Sequence, residues 1–139
     1  MKKRIIYITS YDRKRIEELI SDYRLGETPE LKKSLNLLEG RLRRSESLDW
    51  SEIQPTVVTM NSRIRLERID TNEKIDCDLV FPEDVNLLKN KISVLTDLGN
   101  SLLGRNVGDV IKVRSSEGVQ HFVINAILYQ PEANNDYCR

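Results

Sequence analysis

The segment 92–111 limits what this chain can fold into more than any other part of the sequence. It opens with three apolar residues that favour a β-strand, Ile92, Val94 and Leu95, after which Thr96 or Asp97 can cap a helix. The leucines that follow fall on one face of about two helical turns: Leu98, Leu102 and Leu103. Gly104 suits the left-handed position that ends a helix, and a Val-Gly-Asp turn then leads into a second β-favouring run. The segment therefore predicts a strand, a short helix, a turn and another strand.

The first third of the chain predicts two amphipathic helices. Over 12–23, apolar side chains recur at i, i+3, i+4 and i+7: Ile16, Leu19, Ile20 and Tyr23. Thr28-Pro29-Glu30 is typical of a helix start, and the leucines after it have the 4, 3, 4 spacing of a coiled-coil seam: Leu31, Leu35, Leu38 and Leu42. Two such helices joined by a short loop pack antiparallel. We therefore expect a helical hairpin over 12–47, with arms of roughly 18 and 27 Å.

The rest of the chain predicts a sheet with one short helix, the α+β class. Its other predicted elements are a strand 56–68, a turn 70–72, a strand 74–81, a loop 82–90 anchored by Leu87 and Leu88, a turn 115–118, a strand 119–129 and a polar tail 130–139. The stretch 45–55 breaks the periodicity, so we expect two domains, 1–50 and 51–139. Trp50 and Ile53 are expected to pin this linker to the second domain.

Charge and composition narrow the classes of function. Basic and acidic residues balance at 22 each, which argues against a dominant or sequence-specific nucleic-acid surface. No run approaches the ~18 apolar residues of a membrane span, and the apolar start is shorter than the roughly 7–15 residues of a secretory signal. Cys77 and Cys138 form no metal motif and no disulfide framework. We expect a cytoplasmic protein with reduced thiols, no metal and no cofactor.

The sequence offers no catalytic constellation. His121 is the only histidine, and it falls in a predicted strand, where we interpret it as a structural or surface residue. The glycines do not have the spacing of a phosphate-binding loop. The chain is therefore not expected to be an enzyme.

Several motifs resemble the C-terminal signature of the Gre transcript-cleavage factors of bacterial RNA polymerase. They are, in chain order, Val57-Val-Thr-Met-Asn-Ser-Arg63, Ile92-Ser-Val94, Ser101-Leu-Leu-Gly104, Val107-Gly-Asp109 and Tyr129-Gln-Pro-Glu-Ala133. The first and last motifs narrow the resemblance to a short-armed branch of that family, the regulators of nucleoside diphosphate kinase. The resemblance implies an FKBP-like fold for the antiparallel sheet domain.

The resemblance also implies a partner. Gre-type C-terminal domains dock at the rim of the polymerase secondary channel through the loop entering the short helix, which here is Leu95, Thr96, Asp97 and Leu98. Relatives usually carry Pro where this chain has Asp97. We expect a monomer that docks there, inserts its short hairpin partway and competes with Gre factors without stimulating transcript cleavage.

Two alternatives stay open. Gre factors use tip carboxylates to help hold a catalytic Mg²⁺, and the tip of this hairpin carries Asp22, Glu27 and Glu30. Glu27 and Glu30 can instead complement the positive N-terminus of the second helix. The other alternative is an interaction module that regulates nucleoside diphosphate kinase.

Overall fold

The computed structural model describes residues 5–115 and 118–136. Within that part, the helices are α1 (Ser10–Arg24), α2 (Pro29–Arg43) and α3 (Asp97–Leu102). The strands are β1 (Ile6–Thr9), β2 (Ser45–Leu48), β3 (Arg63–Arg68), β4 (Lys74–Val80), β5 (Lys91–Ser93), β6 (Val110–Ser115) and β7 (Gly118–Tyr129). This is the predicted α+β class. Two residues of the predicted turn 115–118, and Cys138, lie outside the described residues.

Both helices of the hairpin begin at a threonine whose hydroxyl caps the first helical turn. The Thr9 hydroxyl accepts from the Asp12 N–H at 3.1 Å, and the Thr28 hydroxyl accepts from the Leu31 N–H at 3.2 Å. Pro29 occupies the first turn of α2, where a missing N–H costs nothing. Each helix has 15 residues, so the arms are more equal than predicted.

The segment after the hairpin is more ordered than predicted. Instead of an irregular linker from residue 45, β2 pairs in parallel with β1 across the base of the hairpin. The Ser45 hydroxyl donates to the Leu42 carbonyl at 2.7 Å, which ends α2 and turns the chain into β2. Ile53 is buried, whereas Trp50 is exposed, so only Ile53 pins this segment by burial.

A five-stranded sheet, in the order β5-β4-β3-β7-β6, forms the second half of the fold. The pairing of β4 with β5 is parallel, which corrects the all-antiparallel prediction. Ile64 and Leu66 of β3 are fully buried, as their alternation predicts. On the solvent face, Arg63 and Arg65 pair across strands with Asp78 and Asp76, each at 2.8 Å.

Three predictions for this half are wrong. The strand predicted over 56–68 begins only at Arg63, because Asn61 has a left-handed φ of 67° that ends an extended run. Leu87 and Leu88 are 74% and 99% exposed and anchor nothing. The predicted polar tail is ordered over 130–136, since the buried Gln130 amide donates to two backbone carbonyls at 2.8 and 2.7 Å.

One hydrophobic core runs from the hairpin into the sheet. Its fully buried members include Ile16, Leu35, Leu38, Ile64, Leu66, Leu102 and Ile124. Gly104 lies where the two parts touch: it has a φ of 80°, and a Cβ there would stand 2.1 Å from Ile6 Cγ2. The division into domains at residue 50 stays a prediction, and the packing between the two halves is tight.

Candidate functional site

The loop that enters α3 is held by hydrogen bonds to its own backbone. The Thr96 hydroxyl donates to the Ser93 carbonyl at 2.7 Å and accepts from the Gly99 N–H at 3.0 Å. The Leu95 N–H donates to the Ser93 hydroxyl at 3.0 Å. The conformation of the loop is thus fixed before any partner binds.

Only part of this loop faces solvent. Leu95 and Leu98 pack against the core, whereas Thr96 and Asp97 are exposed. Of the two caps that the sequence allowed, Thr96 and Asp97, the structure has Thr96. The Asp97 carboxylate is therefore available for another contact. The sequence predicted these four residues as a partner-binding site, and that role stays a prediction.

The hairpin tip is braced by a single arginine. Arg24, at the end of α1, pairs with Glu27 at 3.1 Å and reaches across to Asn36 at 3.0 Å and Glu39 at 3.4 Å. The Glu27 carboxylate is therefore already paired with a cation of the protein, which does not favour a role as a metal ligand. Glu30 lies exposed in the first turn of α2.

Asp22, the third tip carboxylate, lies close to the sheet half of the molecule. It lines a recess together with Phe81 and Glu83, which follow β4. Arg15 of α1 stacks on the Phe81 ring, 4.2 Å from its centroid. The hairpin therefore lies along the sheet half as far as Asp22. Across residues 5–115 and 118–136, no three His, Cys, Asp or Glu side chains group in a way that could hold a metal ion.

The base of the hairpin is joined to the sheet half by a buried carboxyl group that the sequence reading missed. Asp12, in the first turn of α1, accepts from the Met60 N–H at 3.0 Å. Glu132 lies nearby and accepts from the Thr59 hydroxyl at 2.7 Å. Burial, followed by the negative charge of Glu132, raises the pKa of Asp12 from 3.8 to about 7. A carboxyl group with that pKa titrates near neutrality.

A basic recess between α2, α3 and β6 was also missed. Its charged lining residues are Lys33, Arg41, Arg44, Asp97, Lys112 and Arg114. The signal existed in the sequence, because Lys112 and Arg114 alternate with apolar residues on one strand and Arg41 lies eight residues after Lys33 on one helix. Only the tertiary fold brings the two sets together.

The remaining titratable candidates carry no visible site. His121 is exposed on β7. Cys77 is buried, and burial raises the pKa of its thiol to about 12, which disfavours the reactive thiolate at neutral pH. No described helix is long and apolar enough to cross a lipid bilayer.

Comparison with known proteins identifies relatives of both halves. A family model described as the C-terminal part of the transcription elongation factors GreA/GreB matches residues 53–129. The regulator of nucleoside diphosphate kinase of Escherichia coli K12 is 31% identical over 138 residues, covering 99% of this chain and 98% of that protein. The transcription elongation factor GreA of Thermotoga petrophila is 34% identical over 91 residues, covering 66% of this chain. The chain spans only 58% of that GreA.

Solved structures agree with the sequence relatives. A GreA/GreB transcription elongation factor from Nitrosomonas europaea superposes with a TM-score of 0.75 at 37% identity, covering 91% of this chain and all of that one. The GreA factor homolog 1 of Thermus thermophilus matches at 22% identity with a TM-score of 0.50, which supports the fold alone.

Proposed function

The chain belongs to the family of the GreA/GreB transcription elongation factors, and from this premise we propose that it is a transcription regulator that binds bacterial RNA polymerase at the rim of the secondary channel. The observation that carries the proposal is the family match over 53–129, which contains the whole loop entering α3. This loop is braced by two hydrogen bonds of the Thr96 hydroxyl and presents Thr96 and Asp97 to solvent. A rigid loop loses little conformational entropy on docking.

The short hairpin favours a blocking role. Helices of 15 residues are about 22 Å long at 1.5 Å per residue. Because Asp22, two residues before the end of α1, and Phe81 line one recess, most of α1 lies alongside the sheet half. We propose that the hairpin enters the channel partway and competes with Gre factors without stimulating transcript cleavage. The protein would act there as a cytoplasmic monomer.

The decisive experiment measures binding to core RNA polymerase, with GreA as competitor and a backtracked transcript in the same reaction. We expect binding, competition and no added cleavage. Asp97→Arg should weaken binding at least tenfold, whereas Asp84→Arg, another exposed carboxylate, should not. Failure to bind core polymerase at micromolar protein would refute the proposal.

Transcript cleavage through the tip carboxylates is the alternative within the family. Glu27 and Glu30 stand near the tip, and Mg²⁺ needs only one or two carboxylates. Cleavage that rises with the protein and falls in the Glu27→Ala, Glu30→Ala double variant would support this alternative. A Glu17→Ala, Glu73→Ala variant removes two exposed carboxylates elsewhere and serves as the control.

A third function is suggested by a relative that matches nearly the full length and is described as a regulator of nucleoside diphosphate kinase. This alternative predicts that purified kinase and purified protein form a complex in the absence of polymerase. Complex formation with the kinase, together with no binding to polymerase, would replace the proposal above.

A further inference from the structure

The basic recess between α2, α3 and β6 has properties that neither the family match nor polymerase docking explains. It has a volume of about 420 Å³ and holds five basic side chains against one acidic one. The cations come from separate elements: Lys33 and Arg41 from α2, Arg44 from its C-cap, and Lys112 and Arg114 from β6. Such convergence brings like charges together and is unfavourable unless an anion joins them.

The inner wall of the recess carries buried donors without acceptors. Arg41 and Asn100 are 7% and 6% exposed and both line the recess. One terminal nitrogen of the Arg41 guanidinium donates to the Leu103 carbonyl. Arg41 Nε and Asn100 Nδ2 have no acceptor within the described part of the chain. Buried donors are normally satisfied, so this pair indicates a missing acceptor.

Arg41 is surrounded by positive charges, which a negatively charged acceptor would offset. Burial, followed by the positive charges of Arg105 and Arg44, lowers the pKa of Arg41 from 12.5 to about 10. The only acidic side chain that lines the recess among the described residues is Asp97, which is exposed. A buried guanidinium among other cations is stabilised by an anion that also accepts hydrogen bonds.

We infer that this recess binds a phosphoryl anion, which accepts hydrogen bonds from Arg41 and Asn100 and is held by the surrounding cations. A single carboxylate ligand would leave most of the positive charge unbalanced, whereas a phosphate or pyrophosphate carries more charge and several acceptor oxygens. The bound group would link α2 to α3 and β6, and so fix the hairpin against the sheet. This inference does not depend on polymerase binding.

The test uses the full chain with three probes: orthophosphate, pyrophosphate and ADP, each titrated by calorimetry at constant ionic strength set with chloride. At a pyrophosphate concentration 100-fold above its Kd, the Tm should rise by roughly 5–10 °C. Equal affinity for pyrophosphate and ADP would show that the recess recognises the phosphoryl groups alone. A tenfold preference for ADP would show that it recognises a nucleotide. Either result supports the inference.

Matched variants locate the site. Lys112→Ala with Arg114→Ala should weaken pyrophosphate binding at least tenfold, whereas Lys74→Ala with Lys89→Ala, two exposed cations elsewhere, should leave it unchanged. Asn100→Asp supplies an internal carboxylate beside Arg41, so the Tm of this variant should no longer respond to pyrophosphate while the protein stays folded.

Three results would overturn the inference. One is a Tm that rises no more with pyrophosphate than with chloride, and another is an equal rise in the Lys112→Ala, Arg114→Ala variant. The third is binding of a single-stranded RNA oligonucleotide that depends on Lys112 and Arg114 and that pyrophosphate does not displace. That third result would assign the recess to nucleic acid instead.

Discussion

Replacing Asp12 by Asn should remove most of the pH dependence of stability near neutrality. The carboxyl group is 3% exposed, and its bond from the Met60 N–H joins α1 to the sheet half. Burial is the main cause that raises the pKa of Asp12, and the charge of Glu132 adds to it. The Met60 N–H, Arg15 and the Thr9 hydroxyl act in the opposite direction but do not cancel the increase.

The size of the pH effect on the free energy of unfolding follows from proton linkage. With a pKa of about 7 in the folded state against 3.8 for an unperturbed Asp, the folded chain binds this proton more tightly than the unfolded chain. The stabilisation from the protonated group is fully present below about pH 4 and is lost as the pH rises through 7. The free energy of unfolding should therefore fall by up to about 4 kcal/mol over this window, with a slope of at most about 1.4 kcal/mol per pH unit.

Urea denaturation at half-unit intervals from pH 4 to pH 8 measures this slope. An amide in Asp12→Asn can still accept from the Met60 N–H but cannot ionise, so the variant should become more stable than the wild type above pH 7. Asp22→Asn changes an exposed carboxylate on the same helix and should keep the wild-type slope. Parallel curves for the wild type and Asp12→Asn would refute the reasoning.

Two further predictions concern a glycine and a helix cap. Gly104→Ala should destabilise the protein by at least about 2 kcal/mol in thermal unfolding, because it combines a φ of 80° with a Cβ 2.1 Å from Ile6 Cγ2. Gly26→Ala is the control: its Cβ would meet nothing within 4 Å, so the stability should change by no more than about 0.5 kcal/mol. Thr28→Ala should cost about 1 kcal/mol by removing the acceptor for the Leu31 N–H. Thr28→Ser keeps a hydroxyl acceptor and should lose less, so equal losses in thermal unfolding of the two variants would contradict the assigned cap.

Local signals in the sequence predicted the three helices and the cap of α2. Thr28 and Pro29 act within one turn of the chain, so the start of α2 could be read without the fold. The same holds for Gly104, whose left-handed conformation ends the short helix segment as predicted. The alternation of Ile64 and Leu66 likewise marked the buried face of β3, since strand periodicity depends only on neighbouring positions.

Features that depend on long-range contacts could not be predicted from local signals. The β2 strand exists because it pairs with β1, whose residues lie nearly 40 positions earlier. Leu87 and Leu88 are apolar and were expected inside, but nothing in composition tells an anchoring leucine from an exposed one. The candidate surfaces show the same limit. The loop entering α3 was found through a motif, whereas the basic recess needs a helix and a distant strand brought together.

The base of the hairpin brings the two missed features together in one joint. Asp12 lies in the first turn of α1 and Arg41 in the last turn of α2, and each bonds to a backbone group of the sheet half, the Met60 N–H and the Leu103 carbonyl. Each is a buried group whose charged form is disfavoured by burial. A proton on Asp12 and an anion beside Arg41 should therefore both stabilise the packing of the hairpin base on the sheet half. If the hairpin acts by entering a channel, pH and phosphoryl anions would act at its base and would determine how strongly it is held in one orientation.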